Sequence, residues 1–375
     1  MADPLILYYV SGHGYGHATR TVAVLEALRA QSPGLRLHVR SEAPHWLFTD
    51  AVREVETSSA HIDVGMIQAD PIAIDLPASL RAHEGFGAHW EEAAVREADF
   101  IRTLRPDLVV SDIAALPFAA ARAAGVRGIA VTNFSWDWIL EMYAADEPRW
   151  RPIIERYAQA YGEAELLLRL PMGGALTAFR RTEDMPLVAR NLRIGKKEAR
   201  SRLGLKPDDA RRIVLVTFGG FSTYLAPITG ADELPDFIFI GFQAAPPGFC
   251  GEWRELAMHT PVPYMDLLAA ADAMIGKPGF GTAAEGIAHG VPQLYLPRHD
   301  FRETKPLLAY LHRHGAARAM PHADFFTGRW RAHLEALLAL PRTAPPGAGG
   351  AAAVAARLRE LAQNSPNGPL PPGPK

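Results

Sequence analysis

The segment Ser11-Gly-His-Gly-Tyr-Gly-His17 sets two imidazoles into a run of glycines. An apolar strand pattern over residues 5–10 leads into it, and a helical pattern over 19–30 leads out. Glycines let a backbone turn tightly and approach a ligand, and a helix start favours negative charge. Histidine exchanges protons near neutral pH, so His17, closing such a loop, has the chemistry of a general base. Asp112 follows the apolar run 108–111 and is suited to orienting that imidazole, although aspartate at such a place also serves as a helix cap or turn former. The spacing departs from a dinucleotide fingerprint, because His17 stands where the third glycine belongs. It departs from a zinc helix too, because His13 lies in the loop and no glutamate follows it. No metal site is expected.

A second loop carries Ala271-Asp-Ala-Met-Ile-Gly-Lys-Pro-Gly-Phe-Gly-Thr-Ala-Ala-Glu-Gly286. A strand pattern runs into Gly279 and Gly281, and a helical pattern starts at Thr282. Backbone N–H groups at such a helix start suit a diphosphate. Glu285, one turn in, can accept hydrogen bonds from ribose hydroxyls, yet Thr282-x-x-Glu285 also reads as a capping box. No Walker loop is present. Phe218-Gly-Gly-Phe-Ser-Thr223 again follows a strand pattern and offers Gly219, Gly220 and Ser222 as another wall of a phosphate pocket. Thr132-Asn-Phe-Ser-Trp-Asp-Trp138 contributes Asn133, Trp136 and Trp138. The tryptophans suit stacking on sugars or apolar acceptors, and equally suit plugging a core.

These residues need elements to hold them. Strand-like runs at 5–10, 35–40, 108–111, 128–132 and 166–170 alternate with helical patterns at 19–30, 88–104 and 118–124. The rhythm repeats with strands at 213–218, 237–240, 273–275 and 293–296, and helices at 196–203, 282–289 and 305–314. Alternation of this kind predicts βαβ units and parallel sheets, an α/β chain whose ligands sit at the C-terminal ends of its strands. Pro171, Gly173, Gly174 and Pro186 break the pattern, so domains are expected at 1–171 and 194–340 with a linker at 172–193. The remainder, 341–375, predicts one helix at 351–363 and a disordered Pro/Gly-rich tail. Segment 70–88 reads as irregular and suited to acceptor choice.

Composition sets the bounds. The 375 residues are 48% hydrophobic with a net charge of −2, enough for two cores and without the basic excess that nucleic acid demands. Cys250 stands alone, which excludes an internal disulfide, fits a reducing compartment and suggests a small buried hydrophobe. The N-terminus lacks a signal-peptide pattern, and the apolar stretch 113–124 is too short and too interrupted to span a bilayer. A cytoplasmic protein is expected.

Four stretches carry a resemblance: Tyr8-Tyr-Val-Ser-Gly-His-Gly-Tyr-Gly-His-Ala-Thr-Arg20, Val131-Thr-Asn-Phe-Ser-Trp-Asp-Trp138, Gly276-Lys-Pro-Gly-Phe-Gly-Thr282 and Pro297-Arg-His-Asp-Phe-Arg-Glu303. They resemble the glycosyltransferase-like N-terminal region of plant L-arabinokinases, without a sugar-kinase ATP loop. More loosely, the chain resembles bacterial cell-wall N-acetylglucosaminyltransferases and other GT-B enzymes. The resemblance implies two facing Rossmann-like domains with a cleft between them. It implies transfer of a sugar, with inversion, from a nucleotide-diphosphate donor (UDP above all) to an unknown hydroxyl acceptor. Its pattern makes His17 the base and Asp112 its partner. It puts Gly219, Gly220, Ser222 and the turn Gly279, Gly281, Thr282 on the donor phosphates, and Glu285 on the ribose. Tyr264 and Met265, in a loop before 267–271, match the nucleobase segment. Glu303 with Thr304 matches the pair on the donor sugar, departing from the usual glutamine-containing pair. His13, Gly14, Asn133, Trp136 and Trp138 fall on the acceptor side. Such enzymes work without cofactor or bound metal, the nucleotide sugar being a co-substrate. An epimerase of the same fold, or a non-catalytic nucleotide-sugar-binding regulator, are the alternatives.

Overall fold

The computed structural model describes residues 3–68, 73–218, 228, 230–257, 259–298, 301–341 and 345–364. Backbone contacts divide the chain into two units. The first holds Met1–Ile67, Ile74–Val188 and Gly349–Lys375; the second holds Gln68–Ala73 and Ala189–Ala348.

The first unit is built on seven strands: β1 (Leu5–Val10), β2 (Arg36–Arg40), β3 (Val55–Ser58), β4 (Leu108–Asp112), β5 (Gly128–Thr132), β6 (Leu166–Arg169) and β7 (Thr182–Asp184). They lie in the order β3-β2-β1-β4-β5-β6-β7, every neighbour parallel. β1, β4 and β5 are buried at every residue, as expected of strands covered on both faces. The strand order reverses between β1 and β4, the switch point at which open α/β sheets bind ligands. Register there pairs Val10 with Asp112, so the loop after β1 and the carboxylate ending β4 share one edge.

The second unit repeats the design with β8 (Arg212–Thr217), β9 (Phe237–Gly241), β10 (Glu252–Glu255), β11 (Ala273–Gly276), β12 (Gln293–Tyr295) and β13 (Ala317–Ala319). Their order is β10-β9-β8-β11-β12-β13, again all parallel. Alternate residues serve opposite faces. Val214, Val216, Phe237 and Phe239 pack with Trp330, while Ile213, Leu215, Ile238 and Ile240 pack with Leu267 and Leu268. The switch point lies between β8 and β11, where Thr217 pairs with Gly276.

Several expectations change. The four strands without a sequence signal, β3, β7, β10 and β13, are the four edges of the two sheets, half exposed and therefore without apolar runs. Two helices, Leu76–Ala88 and Trp90–Leu104, meet at His89, and the second is the helix expected at 88–104. Asp75 caps the first by accepting from Ala78 N at 2.9 Å, so most of the segment read as irregular is helical. The expected linker 172–193 is divided: β7 pairs with β6, and the first unit runs to Val188. The helix Gly350–Gln363 then returns to the first unit, where Val354, Leu358 and Leu361 join a core with Val22, Leu25 and Leu28 of the helix Tyr15–Gln31. Cys250 is exposed instead of buried, in the loop that follows β9. The expected tail beyond Asn364 lies outside the described residues. Among the described residues, no helix is long and apolar enough to cross a membrane.

Candidate active site

In the first unit the site grows from the loop after β1. Gly14 has φ 77° and ψ 165°, a backbone conformation that side chains disfavour, and it opens the helix Tyr15–Gln31. The helix therefore begins four residues earlier than its apolar pattern shows, and His17 sits in its first turn, half-buried. His17 Nδ1 lies 3.0 Å from Asp112 Oδ1. Asp112 is 1% exposed, and its oxygens collect further donors: Arg20 Nη2 at 2.5 Å on Oδ1, Arg20 Nε at 2.9 Å and Thr21 Oγ1 at 3.4 Å on Oδ2. Burial pushes this carboxyl up, but the charges of Arg20 and His17 outweigh it and hold it below the ordinary carboxylate range. Arg20 Nη2 also comes within 3.2 Å of His17 Nδ1; assigning the His17 proton to Nδ1, toward Asp112, leaves Nε2 as an acceptor.

Arg20, without a role assigned from sequence, lies three residues after His17 and so on the same helix face. Its third nitrogen, Nη1, donates to Asn133 Oδ1 at 2.8 Å. Asn133 is thus part of the internal scaffold, 2% exposed. Trp136 is also interior, 5% exposed, with Nε1 donating to Asp63 Oδ2 at 3.2 Å; it is not the exposed platform one reading proposed. Trp138 is half-buried against Gly174, where a Cβ would come within 2.4 Å of its ring. His13 pairs with the same carboxylate as Trp136, its Nε2 3.5 Å from Asp63 Oδ1. Beyond Trp136 lies His83, fully buried and bonded through Nδ1 to Tyr157 Oη at 2.8 Å. Asp63 and His83 carry no local sequence signal; their partners are 50 or more residues away in the chain.

In the second unit the loop after β11 leads to the helix Phe280–His289, whose N-cap is Gly279 without any side-chain cap. Thr282 is inside the helix, which rules out the capping-box reading of Thr282 and Glu285. The first-turn N–H groups around Gly281 and Thr282 carry the positive end of the helix dipole. Glu285 is 5% exposed and accepts from Arg190 Nε at 2.7 Å. Tyr264 and Met265 are not in a loop: they begin the helix Tyr264–Ala270, and Met265 is packed into the core. Tyr264 stands beside Arg190, whose guanidinium carbon is 5.0 Å from the centre of its ring.

Three charged groups cluster electrostatically on this unit. Lys277 leaves β11, Arg298 follows β12, and Glu303 is the N-cap of the helix Thr304–His314. Burial, then Arg298, pulls the Lys277 ammonium down to about 7, with Glu303 opposing. Burial raises the Glu303 carboxyl against the pull of Arg298 and Lys277. Lys277, Arg298 and Arg190 have no role assignable from sequence alone. Gly219, Gly220 and Ser222 lie outside the described residues.

Two doubly wound parallel sheets of seven and six strands, each with a glycine loop entering a helix beside its switch point, make this a GT-B fold. A UDP-glucosyltransferase from Polygonum tinctorium, solved in complex with 3,4-dichloroaniline, matches it with a TM-score of 0.59 and 14% identity, over 97% of this chain and 94% of that one. The chain is 33% identical over 371 residues to L-arabinokinase of Arabidopsis thaliana, covering 95% of this chain and 34% of that protein. It therefore spans about a third of that relative's length. A UDP-N-acetylglucosamine–N-acetylmuramyl-(pentapeptide) pyrophosphoryl-undecaprenol N-acetylglucosamine transferase of Moorella thermoacetica is 23% identical over 309 residues, 77% of this chain and 78% of that protein. No family model matches the chain.

Proposed function

We propose that this protein is a glycosyltransferase that moves a sugar from a nucleotide-diphosphate donor, UDP-linked above all, to an acceptor hydroxyl. The observation that carries the reading is the His17–Asp112 pair, 3.0 Å apart at the switch point of the first sheet. In the proposed step, His17 Nε2 takes the acceptor proton as the acceptor oxygen attacks the anomeric carbon. The bond from that carbon to the diphosphate oxygen breaks, which inverts the centre. Asp112 stabilises the imidazolium that forms, and Arg20 keeps the carboxylate in place. The first turn of the helix Phe280–His289, together with Lys277, meets the charge that gathers on the leaving diphosphate. Glu285 serves the ribose, Tyr264 the base, and Glu303 with Thr304 the donor sugar. His13, in the loop beside Gly14, serves the acceptor with Trp138.

Release of UDP from a panel of UDP-sugars, with a mixed set of polyol and glycan acceptors, tests the reading. His17→Ala should bind UDP like the wild type in calorimetry but release it about 10²–10⁴-fold more slowly. Turnover by His17→Ala at the wild-type rate would remove the assigned base, and absence of UDP release from every donor would remove the function.

A further inference from the structure

Arg190 stands near the start of the segment Ala189–Ala348 of the second unit, and it grips the helix Phe280–His289 at two levels. Its Nε donates to Glu285 Oε1 at 2.7 Å, with the two side chains 17% and 7% exposed. Its backbone carbonyl lies 2.7 Å from His289 Nε2, at the last turn of the same helix. The guanidinium also lies beside Tyr264, which stacks on Phe242 with ring centroids 6.4 Å apart and an interplanar angle of 19°. Side chain and main chain of one residue thus set both the rotamer of Glu285 and the position of the helix that carries it.

A glutamate that serves ribose must present oxygen lone pairs in fixed directions, and a buried carboxylate needs a counter-charge to stay where it is. Arg190 supplies both. We propose that Arg190 is a positioning residue for ribose recognition, and that its pair with Glu285 makes the site prefer a ribonucleotide to a 2′-deoxyribonucleotide. The inference rests on the proposed nucleotide site, and it adds the residue that gives that site its sugar selectivity. A site arranged to hydrogen-bond a hydroxyl disfavours the analogue lacking it, because its own buried group is left unmet.

Calorimetry of the full chain with UDP and with 2′-deoxy-UDP tests this. The wild type should bind UDP tighter by on the order of 10–100-fold, the equivalent of one hydrogen bond to a charged group. Arg190→Met should bring that ratio below about 3-fold, and Arg190→Lys, which keeps the charge, should restore part of it. If Arg190 matters only for folding, Arg190→Met will weaken both nucleotides by one factor and leave their ratio intact, which overturns the proposal alone. A wild type that binds neither nucleotide overturns it together with the nucleotide site. Arg190→Ser, polar but too short to reach Glu285, serves if the methionine variant does not fold; an unchanged ratio there is equally fatal.

Discussion

At the scale of single residues the proposed chemistry depends on Asp112. Four contacts, from His17, Thr21 and two nitrogens of Arg20, converge on a carboxylate that is 1% exposed. Because its folded value lies below the ordinary one, its contribution to stability is present at pH 7 and is lost as pH falls through the lowered value. Asp112→Asn should flatten part of that acid loss. It should also cost about 3–5 kcal/mol at pH 7, because Arg20 is left buried without its counter-charge. Urea unfolding between pH 7 and pH 3 measures both effects, and parallel acid limbs in wild type and variant would contradict the first. His83 acts with the opposite charge. Burial, helped by His13, lowers its imidazole to about 3, so it stays neutral in the fold while the unfolded chain protonates near the usual 6.5. Stability from this group is complete above that usual value and falls as pH drops toward the lowered one, by at most about 1.4 kcal/mol per pH unit. His83→Gln should remove that slope, and an unchanged pH dependence of the urea midpoint would show that His83 is not its source.

At the scale of elements, the helix Gly350–Gln363 completes the first unit. Its apolar face covers the helix Tyr15–Gln31, which carries His17 and Arg20, and Leu358 is fully buried in that contact. Arg357 on the same helix makes a two-pronged ion pair with Glu183 at 2.8 and 2.9 Å, but both side chains are partly in water. The apolar contact should dominate. Leu358→Ala is expected to cost about 2–5 kcal/mol and Arg357→Ala about 1 kcal/mol or less in urea unfolding. The reverse order would mean that charge holds this helix.

At the scale of the whole molecule, two parallel sheets each bring a glycine loop to a switch point, one with the His17 imidazole and the other with cationic and helix-end groups. In the proposed reaction these groups do the work a divalent ion does in other transferases. UDP at a hundred times its dissociation constant should stabilise the protein by about 2.7 kcal/mol. In a thermal-shift measurement the shift should be the same in EDTA, as should UDP release. Loss of either in chelator, with recovery in one divalent ion, would refute metal-free transfer.

The strands at the centre of both sheets were legible in the sequence because they are buried on both faces and therefore read as unbroken apolar runs, such as Leu5–Val10 and Gly128–Thr132. That His17 and Asp112 could meet was legible because a glycine loop and a strand end both mark turns at a sheet edge. The edge strands left no such mark, since half their residues face water. Nor did the partners of the site. Arg20 on Asp112, Asp63 on His13 and Arg190 on Glu285 join positions 92, 50 and 95 residues apart, and only folding puts them within a hydrogen bond. Local sequence decides where the backbone turns, because glycine, proline and apolar period act over a few residues. Which charge neutralises which in the interior is decided by the tertiary structure, because a buried carboxylate takes its counter-charge from whatever the packing brings beside it.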